Sequence, residues 1–436
     1  MTKVAFSLPT LDIRSLPGPD SILRRELENG IVVLARENFA SPSVVISGYL
    51  VAGSLGETRQ EAGLAYLTAQ ALMRGTKVRS FNQIFESIES IGAVLSLGAS
   101  THITFVQGKA LAEDLQILLS LLSEVLRTPT FPKTQIERLK GEHLTSLAIR
   151  DQDTGARAQL AFDELAYKKH PYSLPTSGYK DTISEISTTN IRAFYRQCFG
   201  PQGMVLVVVG AVEAQKAVEA VEGALGGWRN PGQHTHPDLP PIGKPSGLLR
   251  KVVYLPGKSQ CDIVLGTPGP SRFDEDYMAA SLGNSILGRF GMYGRIGDAV
   301  RESAGLAYYA YSSVTGGHGP GPWQVVAGVN PNGVEKAIDL ILTEIRKLVT
   351  KRVTKQELVE NQANYIGRLP LQLESNEGVA GSLLHIERYS LGLDYYQCFP
   401  DLVAAVTRDD VIRAAKRYLD PDHLAIAIAG PIGEEA

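Results

Sequence analysis

The 436-residue sequence predicts an α+β chain made of two homologous halves, each a mostly antiparallel sheet with helices packed on it. Three observations predict this. Short β-branched runs alternate with stretches of helical periodicity, but in no strict strand–helix–strand order. One segment recurs at a constant offset of 220 residues. A Pro-rich stretch without apolar periodicity separates the two copies.

The elements follow in chain order. Gly30–Arg36 and Ser43–Val51 are β-branched runs and predict strands. Ala62–Met73 and Phe81–Ile91 place apolar residues three and four apart, as one face of a helix requires. Ala93–Leu97 and Ile103–Gly108 predict strands again. Leu111–Leu126 predicts a helix that stops before Pro129, because proline cannot continue one. Thr134–Arg150 predicts another, with Thr134 as N-cap and Glu137 three residues on.

The repeat pairs residues 181–212 with 401–432. Asp181 matches Asp401, Ser187 matches Thr407, Pro201 matches Pro421 and Gly210 matches Gly430. Each copy reads as a hydroxyl cap, a helix, a turn ending in proline and a strand closed by glycine. An ordered set of matches at one offset is the mark of a duplicated fold. The predicted halves are 1–228 and 249–436. Residues 229–248 contain five Pro within Trp228–Ser246 and predict a semi-stiff linker that permits a hinge. Two copies joined in this way can face each other as shells, with a ligand cavity between them.

Composition excludes several classes. Lys and Arg number 43 against 46 Asp and Glu, a net charge of −3, so nothing draws the chain to nucleic acid or an anionic membrane. Pro9, Asp12 and Arg14 break any apolar leader core, and the longest apolar stretch, Gly203–Val212, is too short to span a bilayer. Three widely spaced cysteines, Cys198, Cys261 and Cys398, build no disulfide framework. A cytoplasmic protein is expected. His234 and His236 form the only close His pair, in the linker, where solvated side chains are expected.

From about Arg25 to Gly430 the chain resembles the pitrilysin/insulinase (M16) zinc peptidases, in the branch of the mitochondrial processing peptidase. The resemblance rests on Gly53-Ser-Leu-Gly-Glu-Thr-Arg with Gly63-Leu-Ala, Leu72-Met-Arg-Gly-Thr, and His170-Pro-Tyr with Gly178. It continues through Pro201, Met204–Gly210, Arg295-Ile, Val300-Arg-Glu and Gly305-Leu-Ala-Tyr308. It implies the metallopeptidase fold shared with that processing peptidase.

Members of this family carry His-x-x-Glu-His on the first helix. Two His four apart share a helical face and bind zinc, and the Glu activates water. Aligned on the flanking landmarks, those positions here are Tyr66, Ala69 and Gln70. The family's third ligand, a Glu on a later helix, aligns at about Ser146. Tyr, Gln and Ser are poor zinc ligands, and Ala cannot polarise water. No His-Glu-x-x-His or His-x-x-Glu-His occurs elsewhere in the chain.

The second half keeps a different feature. In the family an Arg and a Tyr seven positions apart bind the substrate backbone beside the partner's zinc. Arg301 and Tyr308 have that spacing. A guanidinium presents several fixed donors to carbonyl oxygens, and a phenol adds one where oxyanion charge develops. Gly288-Arg-Phe-Gly-Met-Tyr-Gly-Arg-Ile-Gly lies where the non-catalytic processing-peptidase subunit has its glycine-rich loop, but differs from it in sequence. Its spacing is not that of a nucleotide-binding loop. Gly316–Trp323 reads as an exposed turn, with His318 and Trp323 in reach of a peptide.

The resemblance and the missing motif together imply a subunit that binds no cofactor and is no enzyme alone. Zinc is expected in a partner M16 chain, forming a heterodimeric metalloendopeptidase that acts on peptides or unfolded segments. Two alternatives are a structural scaffold, like the respiratory-complex core proteins that share this fold, and a peptide-binding homodimer.

Overall fold

The computed structural model describes residues 7–234 and 239–433, with the backbone alone at Met292 and Tyr293. The first half contributes six strands: β1 Leu23–Glu26, β2 Val32–Glu37, β3 Ser43–Leu50, β4 Val94–Ala99, β5 Thr104–Leu111 and β6 Val205–Gly210. Its helices are α1 Leu64–Ala71, α2 Phe81–Glu89, α3 Leu115–Arg127, α4 Lys133–Arg150, α5 Thr154–Ala166, α6 Lys180–Glu185, α7 Thr188–Cys198 and α8 Ala214–Leu225. The second half contributes β7 Leu249–Tyr254, β8 Cys261–Pro268, β9 Ala307–Val314, β10 Pro322–Val329 and β11 Ala425–Gly430. Its helices are α9 Tyr277–Gly288, α10 Phe290–Ile296, α11 Val334–Thr350, α12 Lys355–Gln372, α13 Asn376–Arg388, α14 Tyr395–Ala404 and α15 Arg408–Tyr418.

Each half builds one sheet. The strand orders are β1-β2-β6-β3-β5-β4 and β7-β11-β8-β10-β9. Pairing is antiparallel except for β2 with β6 and β7 with β11. The duplication is visible in both. Ser187 caps α7 and Thr407 caps α15, each in a reciprocal box with the residue three on, and the strands that follow, β6 and β11, end at Gly210 and Gly430. Glycine closes both strands because a Cβ there would collide, with the Ser43 carbonyl in one copy and with the Cys261 side chain in the other.

Several expectations shift by a turn. The strand β5 runs on to Leu111, so the helix after it starts at Leu115. Thr134 is not a cap: α4 begins at Lys133 after Pro132, and no side chain caps it. Pro132 ends the extended approach, and its fixed φ already suits the start of a helix.

One face of each sheet is covered by helices of its own half. The apolar side chains of β2, β3, β5 and β6 meet those of α1, α3 and α8. Those of β8, β10 and β11 meet α9, α11 and α15. The opposite faces are covered by exchange. Helix α5, from the first half, lays Ala158, Ala161 and Phe162 on Val264, Ala425 and Ala427 of the second sheet. Helix α13, from the second half, lays Val379, Ala380, Leu383 and Ile386 on Val45, Val205 and Val207 of the first. Runs such as Val205–Val209, buried on both faces, are thereby explained.

The exchange is stitched at its edges. Arg24 pairs bidentately with Glu387, at 2.8 and 2.9 Å. Asn38 donates to Asn376 at 2.7 Å, Gln159 and Gln324 bond reciprocally, and Tyr167 donates to the Pro320 carbonyl. Opening at the linker would have to move both exchanged helices relative to the sheets they cover. Residues 235–238 of the linker, including His236, lie outside the described residues.

Candidate functional site

Helix α1 is held by the landmark residues around it. The Glu57 carboxylate accepts from the N–H groups of Gly63 and Ala65, capping the first turn. Burial pushes this carboxyl up to about 7, while the two N–H bonds pull it down. Gly63 has φ +99°, and a Cβ on it would strike Ile183. Gly178 backs directly onto Gly63 and the Ala62 carbonyl. These two glycines let the 177–186 segment lie against the start of α1.

Helix α4 clamps the same segment with one face. Lys140 donates to the carbonyls of Ser184 and Ile186, both at 2.9 Å. Arg150 donates to the Ser177 hydroxyl and the Gly178 carbonyl. Between them, the His143 ring stacks on Tyr66 with centroids 4.3 Å apart, and its Nε2 bonds the Ser177 carbonyl at 2.7 Å. Burial, with Arg150 nearby, lowers the His143 pKa despite that carbonyl bond. The imidazole is therefore neutral at pH 7, with Nε2 as its donor.

Tyr66, Ala69 and Gln70 stand on α1 as expected. Tyr66 packs on His143, Ala69 is fully buried, and Gln70 reaches toward the Leu97 carbonyl. Ser146 is turned to solvent and donates back to the Glu142 carbonyl. Leu147, one residue on and one turn from His143, is buried in the core that includes α1. This donor set does not fit zinc. It offers one imidazole already bonded, a phenol, a carboxamide and two cations, with no carboxylate or thiolate and no base at Ala69. Among the described residues, no group of three or more His, Cys, Asp or Glu is placed to hold a metal.

In the second half, Arg295 anchors α10 by a bidentate pair with Glu357, at 2.7 and 2.9 Å. The chain then winds as a π-helical turn, Gly297–Ser303, before β9. Such wide turns are rare and gather at functional sites. Arg301 sits on it with Glu302 3.5 Å away. Tyr308 is the second residue of β9, at the irregularity in its pairing with β10, and is 78% exposed. Strand alternation sends the next residue inward, so the Tyr309 hydroxyl donates to Asp262. Asp262 is 1% exposed and also accepts from Thr154 at the start of the exchanged α5. Neither Tyr309 nor Asp262 stands out in the sequence, because only pairing across β8, β10 and β9 brings them to one layer. His143 was equally silent, being a lone His on a helix.

The Gly288 segment forms the helix α10, with Gly291 and Gly294 at φ +64° and +61°. Trp323 is fully buried on β10, which corrects its placement in an exposed turn. Alternation along β10 points it into the helix-covered face of the sheet. His318 is exposed, yet its ring lies 5.4–5.6 Å from those of His102, Phe273 and Tyr389, spanning the two halves.

Two family models match this chain: "Insulinase (Peptidase family M16)" over residues 32–179 and "Peptidase M16 inactive domain" over residues 185–365. The chain belongs to the M16 peptidase family. The M16 relatives include an uncharacterized zinc protease of Streptomyces coelicolor, 25% identical over 97% of this chain and 92% of that protein. The mitochondrial-processing peptidase subunit beta of Saccharomyces cerevisiae is 23% identical, covering 93% and 90%. A peptidase M16 inactive domain from Pseudomonas fluorescens has the same fold, with TM-score 0.84 and 25% identity over 94% of this chain and 98% of its own. A protease from Helicobacter pylori shares the fold at TM-score 0.86 and 20% identity, over 95% and 100%. The M16 duplication accounts for the 220-residue repeat.

Proposed function

We propose that this M16 peptidase homologue is the non-catalytic subunit of a two-chain metalloendopeptidase. One observation carries the reading: the α1 positions that would bind zinc and activate water are filled by Tyr66, Ala69 and Gln70, and the face of α4 beside them is committed to structural bonds. The M16 partner chain supplies zinc and the Glu base, and this chain supplies Arg301 and Tyr308. The exposed Tyr308 supports this, as does its place on β9, which among the described residues is an edge strand paired with β10 alone. An extended peptide adds to such an edge through backbone hydrogen bonds, leaving Arg301 and Tyr308 to hold its carbonyls. Peptides and unfolded segments are the substrate class. Three unpaired cysteines are in keeping with the reducing cytoplasm, and among the described residues no helix is long and apolar enough to cross a membrane.

The test is to purify the chain alone and together with a zinc-bearing M16 chain from the same genome, then assay an unstructured peptide. The mixture should cleave faster than the zinc-bearing chain alone. Equal rates, or stoichiometric zinc on this chain by itself, would sink the proposal. Within an active pair, Arg301→Ala should lower turnover about 100-fold while assembly is kept.

The scaffold reading keeps one observation: the halves are locked by exchanged helices, as suits a structural part. A stable complex with no peptidase activity in any pairing would favour it.

A further inference from the structure

A cavity of about 410 Å³ opens beside the joint between the halves, outside the α1 and β9 positions just described. Residues of α9, α12, α14 and the exchanged α13 line it, together with Arg272 and with Val314 at the end of β9. Its volume is that of a small-ligand pocket. Tyr277, Tyr365, Tyr395, Tyr396 and Phe399 give it an aromatic lining.

The charges in it have one sign. Arg272, Arg289 and Arg368 line the cavity, with no carboxylate among its lining residues. Arg272 donates to the Tyr395 hydroxyl at 2.8 Å and lies over the Tyr277 ring at 4.6 Å. Its Nε is buried and has no partner among the described residues. Asn284 lines the wall, and its carboxamide oxygen is likewise buried and unpartnered among them. His385 also faces the cavity, and burial with Arg272 and Arg388 lowers its pKa to about 4, so it adds no charge at neutral pH. Arg289 and Arg368 are exposed at the mouth and keep their hydration, whereas the buried, unpartnered Arg272 Nε lacks an acceptor that a bound anion would supply. Three guanidiniums suit a group with more than one negative charge, and their planar forks match phosphoryl oxygens. The unpartnered Asn284 oxygen leaves an acceptor for a hydroxyl or N–H on the same ligand.

We propose that this cavity binds a small aromatic phosphate, its ring among the tyrosines and its phosphoryl group on Arg272, Arg289 and Arg368.

Calorimetric titration of the full chain with phenyl phosphate tests it, with inorganic phosphate and benzyl alcohol titrated separately. Phenyl phosphate should bind about tenfold tighter than either, and its affinity should fall as salt rises. Arg289→Gln and Arg368→Gln change exposed side chains, so the fold stands, and each should weaken binding about tenfold. Arg301→Ala should leave binding unchanged. Absence of binding, equal binding of inorganic phosphate, or full affinity in the Arg289→Gln/Arg368→Gln double variant would overturn the proposal.

Discussion

Single side chains decide how the α1 region is used. Glu57 caps α1 through two backbone N–H groups, and a replacement that cannot accept them strands both donors. Glu57→Ala should cost about 2 kcal/mol, read as a lower midpoint in urea. Trp323 fills the second core completely, so Trp323→Ala should cost about 3–5 kcal/mol by the same measurement. Tyr308 touches little of the fold: Tyr308→Phe should leave the midpoint within about 0.5 kcal/mol and show its effect only in turnover with a partner. The tyrosine pair shows how fine the selection is. Tyr308 faces out and Tyr309 bonds buried Asp262, and a one-residue slip of β9 would swap their roles.

Among the elements, α13 joins three features of the fold. It covers the first sheet, walls the cavity with His385 and carries Glu387 toward Arg24. His385 ties α13 to acid sensitivity. Its folded pKa is about 4, against about 6.5 unfolded, so the unfolded chain binds more protons between those values. The stability that neutral His385 allows is present above pH 6.5 and is lost as pH falls toward 4. The loss should approach about 3 kcal/mol, and a His385→Gln variant should show a shallower fall in melting temperature over that range. Helix α4 was legible in the sequence as a helix, yet which of its faces meets α1 was not. Ser146 and Leu147 differ by one position, or 100° of helix, and tertiary contact alone shows that Leu147 turns inward.

For the whole molecule, the exchange of α5 and α13 changes what a half is. A chain cut at the linker leaves each sheet without the helix that covers its second face, exposing Val205 and Val207 in one half and Ala425 and Ala427 in the other. Residues 1–228 and 229–436 expressed separately should each bind a hydrophobic dye and melt without cooperativity. Co-expressed, they should associate and recover a single transition. Two separately cooperative halves would contradict the packing described above. The same exchange moves the expected chamber. The exchanged helices tie the two halves together, so the proposed function places its peptide chamber between two chains rather than between the halves of one.

Local pattern carried much of this. Periodicity placed the strands and helices within a few residues, the constant offset revealed the duplication, and the flanking landmarks put Tyr66, Ala69 and Gln70 together on α1. Each of these depends on neighbours in sequence, where propensity, capping and steric exclusion act. The exchanged helices, the His143–Tyr66 stack, the Asp262 node and the arginine-lined cavity could not be read that way. They join residues up to several hundred positions apart, and the apolar stripe that says a helix is buried does not say on which sheet. That choice is made by burial of both faces of both sheets at once, which only the folded chain as a whole can satisfy.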